Sequence, residues 1–472
     1  MDASSRQLGP TLGGLYFLTF FPAGAIFTAA FTYLARPLAL GGLGLTPGQV
    51  AAVAASGSLG SLAAIGLVHS LRTFTSRGAL AILFTVGAIL IGVLAAFAGQ
   101  YAASAASDAI GSAAPVGAPL GVVAAIAVLL CFFTAANSAA IASVATFIQQ
   151  CISGTGLSFF RLRSAGTWGW ICGGASLLMV TPVSTQPFWL GCAAMLVAAA
   201  YTLLALQFLR EFPVVKSELH VPPSRHHRSR DLPVKELAMV LALVGGTAVL
   251  ARLYETYGNQ FLVDIQLPRP CAMQPLMAQF PEFLLLLLVP FASLRLKYCL
   301  VLGPLSWVCV FLGFFACCQV DNHLAVYLCL PFQAGNCIMQ TTASIAIDSL
   351  FRTSGFRRTA QATLPLVQGI GLLLGSVVAG ALVSCTTSSA GITDWNRVWL
   401  IALAAAAVAA MLASVTMAVL PLDLFKKHEP QVEEQGLQTP AWATSSLRPH
   451  QPLREPAATA VRSDCRREIA AG

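Results

Sequence analysis

Residues 210–235, REFPVVKSELHVPPSRHHRSRDLPVK, form the longest polar break between the apolar parts of the chain. Proline, serine, histidine and charges of both signs are typical of a solvated linker. The chain as a whole is strongly apolar: 57% of its 472 residues are apolar, 10% are charged and the mean hydropathy is +0.75. A soluble domain carries about 25% charged residues. The composition therefore predicts a polytopic membrane protein.

Apolar runs near 20 residues predict six membrane spans on each side of the linker. They lie at about 12–35, 48–70, 79–99, 118–148, 160–182 and 187–208, then at 236–257, 274–293, 298–318, 323–347, 362–384 and 396–420. We therefore expect an all-α membrane protein with twelve transmembrane helices in two six-helix bundles, residues 1–209 and 236–420. Residues 421–472 are polar and rich in proline, which predicts a disordered cytoplasmic tail.

Basic residues predict the orientation of these spans. One set of loops is rich in them and holds Arg72, Arg77, Arg161, Arg163, the linker, Arg295, Lys297, Arg352, Arg357 and Arg358. The opposite loops hold only Arg36, Arg269 and Arg397. By the positive-inside rule, the linker and both termini are cytoplasmic, in a plasma (inner) membrane. The net charge of +8 is then a topology signal, and no nucleic-acid partner is expected.

Two six-span halves around a central cytoplasmic linker match the architecture of major facilitator transporters. In that fold the substrate site lies between the halves, near the midplane of the bilayer. We expect this fold, surrounded by lipid and working as a monomer.

Glu282 is the most informative residue within the predicted spans. It lies in MAQFPEFLLLLLVPF, residues 277–291. A carboxylate at this depth costs roughly 2.5 kcal/mol or more unless it faces a cavity, has a partner or takes up a proton. Gln279 lies three residues earlier and so on the same helix face. The helix that carries Glu282 offers no basic neighbour, so we expect Arg252, across the interface, to be the nearest partner of Glu282.

Two other spans carry polar residues at helical spacing. Arg163, Thr167 and Trp170 follow one another along the fifth span, and Arg252 and Glu255 are three residues apart in the seventh. These groups offer donors and acceptors for a polar, hydroxyl-bearing solute, and the aromatic face suits a planar ring. Because desolvation favours the protonated form of a carboxylate, the two glutamates, Glu282 and Glu255, are candidates for proton coupling.

Each of these residues also has a structural interpretation. Arg252 and Glu255 could be an ion pair that only neutralises itself, and Arg163 could be a basic anchor whose side chain extends to the interface. The thirteen cysteines lie mostly in apolar spans as small buried side chains, with a Cys271–Cys385 disulfide as a minor alternative. The sequence shows no Walker loop, nucleophile–base pairing or zinc motif, so we expect neither an enzyme nor a bound metal or cofactor.

Several short stretches from the fifth span onward share their order and spacing with a known transporter family. They are Arg163-x-x-Gly-Thr-x-Gly-Trp170, Tyr257-Gly-Asn-x-Phe-Leu, Gln279-x-x-Glu282, Gln368-Gly-x-Gly-x-x-x-Gly375 and Gly391-Ile-Thr-Asp-Trp-Asn-Arg-Val-Trp-Leu-Ile401. Together they resemble bacterial nucleoside:proton symporters of the major facilitator superfamily.

The resemblance implies roles for five residues. Arg163 and Thr167 would hydrogen-bond a nucleoside, Trp170 would provide the aromatic ring at its base, and Gln279 and Glu282 would contact base or ribose. Two departures stand out. Arg252 and Glu255 replace neutral amides of the family, and Ile338-Met339 replaces its aromatic–aspartate pair.

The sequence thus predicts proton-coupled nucleoside uptake by alternating access, with a site built from Arg163, Thr167, Trp170, Arg252, Glu255, Gln279 and Glu282. One alternative is a permease for another polar solute, such as a sugar, an organic acid or a drug, with or without proton coupling. Another is a transporter-like sensor that signals through its tail.

Overall fold

The computed structural model describes residues 3–71, 76–108, 117–152, 157, 159–179, 184–208, 234–288, 296–320, 323–351, 357–388 and 391–419. Within these ranges the regular elements are helices, and one isolated antiparallel bridge joins Thr387 to Thr393. The predicted tail, 421–472, and almost all of the predicted linker, 210–235, lie outside the described residues.

The described part of the N-terminal half contains six α-helices: α1 (Ala3–Ala35), α2 (Pro47–Leu71), α3 (Ser76–Asp108), α4 (Leu120–Ile152), α5 (Phe159–Ala175) and α6 (Gln186–Phe208), with short 3-10 turns at Leu38–Leu40 and Ser176–Leu178. Within the described residues of the C-terminal half there are seven α-helices: α7 (Val234–Asp264), α8 (Pro270–Leu288), α9 (Leu296–Val320), α10 (Leu324–Cys329), α11 (Ala334–Leu350), α12 (Arg357–Thr386) and α13 (Trp395–Val419). Each predicted span falls on one helical segment if α10 and α11 are counted together.

The tenth segment is interrupted where proline enters it. Leu330–Gln333 forms a 3-10 turn between α10 and α11, and Pro331 lies at its start. A proline ring lacks the N–H that a continuous α-helix requires, so the helix is broken there. Ten helices of the described chain are long and apolar enough to cross a membrane. The remaining two segments are the short α5 and this broken pair, and the predicted all-helical, twelve-span fold is confirmed.

Large apolar side chains cover the outside of the bundle. Ile82, Ile89, Leu204 and Val415 are each more than half exposed. Helices satisfy their own backbone hydrogen bonds, so a helical bundle can present such a surface to hydrocarbon where water would disfavour it. The outer surface is therefore that of a multi-pass membrane protein.

The two halves meet most extensively along two pairs of helices. Within the N-terminal half α1 packs on α5, and α2 on α4; within the C-terminal half α7 packs on α12, and α9 on α13. Between the halves, α2 packs on α12 and α5 packs on α8. We call the end where α1 ends and α2 begins the far end, and the opposite end, from which α7 starts, the linker end.

The halves are in close contact at the far end. Tyr257 Oη of α7 donates to the carbonyl oxygen of Pro47, at the start of α2, at 2.7 Å. Asn259 Nδ2 donates to the carbonyl oxygen of Thr28 in α1 at 2.8 Å. Both donors belong to the Tyr257-Gly-Asn motif, so this motif holds the far end of the two halves together.

The described cysteines are free thiols. Cys271 is buried and its sulfur lies 3.9 Å from Thr32 Oγ1, whereas Cys385 is exposed. The alternative of a disulfide between them is therefore wrong. Of the twelve described cysteines, five are buried, six are partly buried and one is exposed, so the interpretation of most of them as buried side chains is confirmed only in part.

Candidate functional site

A small cavity of about 60 Å³ lies where α1, α5 and α8 meet. Its walls are formed by Phe20, Arg163, Thr167, Trp170, Gln279 and Glu282. Five of the seven residues predicted for the site therefore line one space, and they come from both halves. Arg252 and Glu255 are not among its lining residues.

Helix α5 presents three of these residues because of their spacing. Arg163, Thr167 and Trp170 are four and three residues apart, so they share one helix face. Glycines occupy another face of α5, where a Cβ at Gly169 would collide with the carbonyl group of Phe17 in α1. Close packing of α5 on α1 fixes the rotation of α5, which directs Thr167 and Trp170 into the cavity.

Helix α8 presents Gln279 and Glu282 beside a proline. Pro281 lies inside the helix and cannot donate a backbone hydrogen bond to the carbonyl of Met277. Helix α8 continues through Pro281 but lacks this one backbone hydrogen bond at the level of the cavity. The two polar side chains leave the helix at this level, on the face that meets α5.

A hydrogen bond joins the two halves inside the cavity. Thr167 Oγ1 of α5 donates to Glu282 Oε1 of α8 at 3.0 Å. The Arg163 guanidinium lies close enough to compensate the charge of Glu282, and the Cys337 thiol of α11 interacts with both groups. Glu282 is thus compensated by Arg163, and the expectation that Arg252 would be its partner is wrong.

The cavity retains unused hydrogen-bonding capacity. Arg163 Nε is buried and has no hydrogen-bond partner. A buried donor without a partner costs about 1–3 kcal/mol, and an acceptor on a bound solute would remove that cost. A hydroxyl-bearing ligand could accept from Arg163 and donate to Glu282 at the same time.

Aromatic rings form another part of the cavity wall. Trp170 stacks on Phe27 of α1, with ring centroids 6.4 Å apart and planes 10° from parallel. Phe20 lies two turns before Phe27 on α1 and also lines the cavity. A planar ring bound here would contact both aromatic surfaces and polar groups.

Arg252 and Glu255 form a separate cluster between α2, α7 and α12. Arg252 Nη1 lies 3.2 Å from Glu255 Oε2, and Nε donates to Ser376 Oγ of α12 at 2.9 Å. Nη2 donates to the carbonyl oxygen of Ala54 in α2. Each of the three guanidinium nitrogens therefore has a protein partner, as expected of an ion pair with a structural role.

Met339 occupies the position where the family resemblance implies an aspartate, and its side chain is packed in the core. Met339 is fully buried, and Thr247 Oγ1 of α7 points at its sulfur at 3.5 Å. The neighbouring Ile338 is buried as well. This part of α11 belongs to the core of the C-terminal half and carries no group that binds a proton.

Sequence reasoning missed Phe20 and Cys337. Phe20 lies in the run FLTFF at 17–21, where neighbouring aromatic residues look alike and only the rotation of α1 decides which one faces the cavity. Cys337 is a small buried side chain of a kind common in membrane helices. Their roles depend on packing between helices far apart in sequence, which no local pattern encodes. Among the described residues no group of His, Cys, Asp or Glu is suited to hold a metal ion.

Comparison with known proteins gives one family. The family model described as nucleoside H⁺ symporter matches residues 10–420. The nucleoside permease NupG of Escherichia coli (strain K12) is 23% identical over 283 residues, and the match spans 52% of this chain and 65% of that permease. The same permease of Shigella flexneri matches equally.

Solved structures show the same fold. The crystal structure of the nucleoside transporter NupG has a TM-score of 0.63 and 19% identity, covering 88% of this chain and all of that one. The POT family transporter PepTSo has a TM-score of 0.61 and 12% identity, covering 87% of this chain and 98% of that one. At these identities the likeness concerns the fold alone, and a nucleoside and a peptide transporter resemble the chain almost equally.

Proposed function

Because the chain belongs to the nucleoside H⁺ symporter family, we propose that it takes up nucleosides together with protons by alternating access. The family consists of transporters, in agreement with the expectation that the chain is not an enzyme. The chain is a multi-pass membrane protein, which fits this activity. The match to the curated permeases spans 65% of their length. We therefore propose nucleosides as the substrate of this chain on the basis of the family and the site together.

One observation carries the proposal: the Thr167–Glu282 hydrogen bond lies in a cavity lined by both halves. A solute bound between the halves is released to one side when they separate at that end. A ribose hydroxyl could replace the Thr167 hydroxyl as the donor to Glu282. We therefore assign substrate binding to Arg163, Thr167, Trp170, Gln279 and Glu282.

Glu282 is proposed to couple protons to this movement. Its carboxyl group is placed among apolar helices, with Arg163 and Thr167 as its polar neighbours. Substrate binding and proton binding would act on the same carboxyl group, so each would change the affinity for the other by the same factor. The packed Ile338-Met339 position supports this choice, because it offers no acid of its own.

The proposed setting is a plasma (inner) membrane, with both termini and the linker end in the cytoplasm and a monomer as the working unit. The uneven distribution of basic loop residues supports this orientation. Tags fused to each terminus should resist protease added outside intact cells. Cleavage of either tag under those conditions would reverse the orientation.

Transport is tested by reconstitution into liposomes. Labelled uridine or adenosine should enter saturably, accumulate under an imposed inward pH gradient, and lose this accumulation when a protonophore is added. If no nucleoside shows saturable, gradient-sensitive uptake, the proposed substrate class is rejected.

Substrate class is tested separately by binding. A nucleoside at 100 times its Kd should stabilise the protein by about 2.7 kcal/mol, which appears as a higher unfolding temperature. Sugars, organic acids and drugs form the comparison panel. Stabilisation by one of these and not by nucleosides would favour the alternative of another polar solute.

The contact between the halves is tested by a matched pair of variants. Thr167→Val keeps the shape of the side chain and removes the donor to Glu282, so nucleoside affinity should change by about fivefold or more. Thr202→Val is the control, because Thr202 is also buried and its hydroxyl donates to the carbonyl of Ala198 in its own helix. Equal affinities in the two variants would remove Thr167 from the site.

A further inference from the structure

Arg252 is a buried cation that the cavity does not use. The residue is 8% exposed and its charged group contacts four helices. Nε donates to Ser376 of α12, Nη1 pairs with Glu255 of α7, and Nη2 donates to the Ala54 carbonyl of α2. The guanidinium also lies over the ring of Phe31 in α1, with its carbon 5.3 Å from the ring centroid.

These contacts join the two halves. Ala54 and Phe31 belong to the N-terminal half, whereas Arg252, Glu255 and Ser376 belong to the C-terminal half. A buried charge that loses a partner is left without compensation, which is strongly unfavourable in a dry interior. The contact to Ala54 therefore resists separation of α2 from α7 for as long as water is excluded.

The cluster lies directly below the closed far end. Tyr257 lies five residues beyond Arg252 on α7 and bonds Pro47, which lies seven residues before Ala54 on α2. At a rise of about 1.5 Å per residue these two cross-half contacts are about 8–10 Å apart along the helices. Opening the far end would have to break both.

Helix α1 connects this cluster to the cavity. Phe27 and Phe31 are four residues apart and so share one face of α1. Phe27 stacks on Trp170, a wall of the cavity, and Phe31 lies under the Arg252 guanidinium. A shift of α1 caused by a ring bound against Trp170 would therefore change the position of Phe31.

We propose that Arg252, together with Ala54, Ser376, Glu255 and Phe31, forms a clamp across the halves that keeps the far end closed. Glu255 pairs with Nη1 of this guanidinium and compensates part of its charge, while Nε and Nη2 make the contacts to Ser376 and Ala54. The clamp is released when α2 separates from α7 and water reaches the charged groups. Water can approach from the side of Glu255, because 44% of that side chain is exposed. This inference builds on the proposed alternating access, and it assigns Arg252 to gating in place of substrate binding.

The closed far end can be measured by cross-linking. A Cβ at Gly48 of α2 would lie 3.7 Å from Ser384 Oγ of α12, so Gly48→Cys with Ser384→Cys should form a disulfide only when the far end is closed. The exposed neighbour Cys385 is replaced by serine to prevent false pairing. A protease site within 216–228 separates the halves, so that only the cross-link holds them together on a gel.

The clamp predicts a specific order of cross-linking rates in the full chain without added solute. Arg252→Gln should slow cross-linking about tenfold, the equilibrium shift expected from one lost hydrogen bond to a charged group. The double variant Arg252→Gln, Glu255→Gln should be as slow, because the contact to Ala54 is still missing. If the double variant cross-links as fast as the wild type, the pair only neutralises itself and the clamp is rejected.

Ser376→Ala provides a second, milder variant. It removes one partner of Arg252 and leaves both charges in place, so it should slow cross-linking about threefold to fivefold while the unfolding temperature stays close to that of the wild type. If Arg252→Gln fails to fold, Ser376→Ala becomes the test of the clamp. A cross-linking rate equal to that of the wild type would then overturn the proposal.

The same assay separates this inference from the proposed substrate. Added uridine should change the cross-linking rate of the wild type and change it less in Arg252→Gln. If uridine has no effect while the Arg252 variants still slow cross-linking, the clamp stands and the nucleoside proposal fails. If uridine changes the cross-linking rate while the Arg252 variants do not, the clamp is rejected and the nucleoside proposal stands.

Discussion

The cavity and the Arg252 clamp both join the halves with a carboxylate and an arginine, yet they differ in what remains free. In the cavity, Arg163 Nε has no partner, and Glu282, in contact with Thr167 and Cys337, lies next to open space. In the clamp, each guanidinium nitrogen of Arg252 is already bonded, one each to α2, α7 and α12. A buried nitrogen without a partner beside a cavity favours ligand binding, whereas an arginine bonded through each of its nitrogens favours a structural or gating contact.

Replacing Arg163 should have the largest effect on binding. Arg163→Ala removes the cation beside Glu282 and should weaken nucleoside binding about 10- to 100-fold, because a hydrogen bond to a charged group contributes about 1.5–3 kcal/mol. Arg161→Ala is the control, since Arg161 starts the same helix and is exposed. Nucleoside-dependent thermal stabilisation measures both. If the two variants bind alike, Arg163 is only the basic anchor considered as the alternative.

The packing that forms the cavity wall can be tested through stability. Gly169→Ala introduces a Cβ that overlaps the Phe17 carbonyl, so we expect a loss of about 1–3 kcal/mol, as for other overpacked sites. Gly246→Ala is the control, because a Cβ there meets nothing within 4 Å. Thermal unfolding compares the two. If Gly169→Ala is as stable as the control, the close contact of α1 and α5 does not fix the orientation of Thr167 and Trp170.

Much of the cavity could be predicted from sequence because its residues follow helical spacing. The three- and four-residue intervals on α5 and the Gln279–Glu282 interval on α8 each define one face. The pairing of Thr167 with Glu282 could not be predicted, since it depends on how α5 packs on α8. The sequence likewise offered Arg252 as a partner for Glu282, because it cannot show which arginine lies across the interface.

The clamp illustrates the same limit. Arg252 and Glu255 are three residues apart, so their pairing follows from the helix itself and was among the alternatives. The contacts to Ala54 and Ser376 involve a backbone carbonyl and a small hydroxyl, groups present throughout the chain. Only the arrangement of α2 and α12 around α7 selects these two.

Glu255→Gln should have the smallest effect. Arg252 keeps its contacts to Ala54 and Ser376, so nucleoside affinity should change by less than about threefold, as for partly exposed ion pairs. Proton-driven accumulation should persist, which would leave Glu282 as the coupling residue. Loss of accumulation in this variant would make Glu255 a coupling acid and erase the distinction between clamp and cavity.

Proton coupling through Glu282 is decided by Glu282→Gln in liposomes, where nucleoside accumulation under a pH gradient is compared with counterflow exchange without one. Gradient-driven accumulation should fall to the level seen with no gradient, while exchange should stay within about fivefold of the wild type, the effect of one altered hydrogen bond. Equal accumulation by the variant and the wild type would contradict this prediction and remove Glu282 from the transport mechanism.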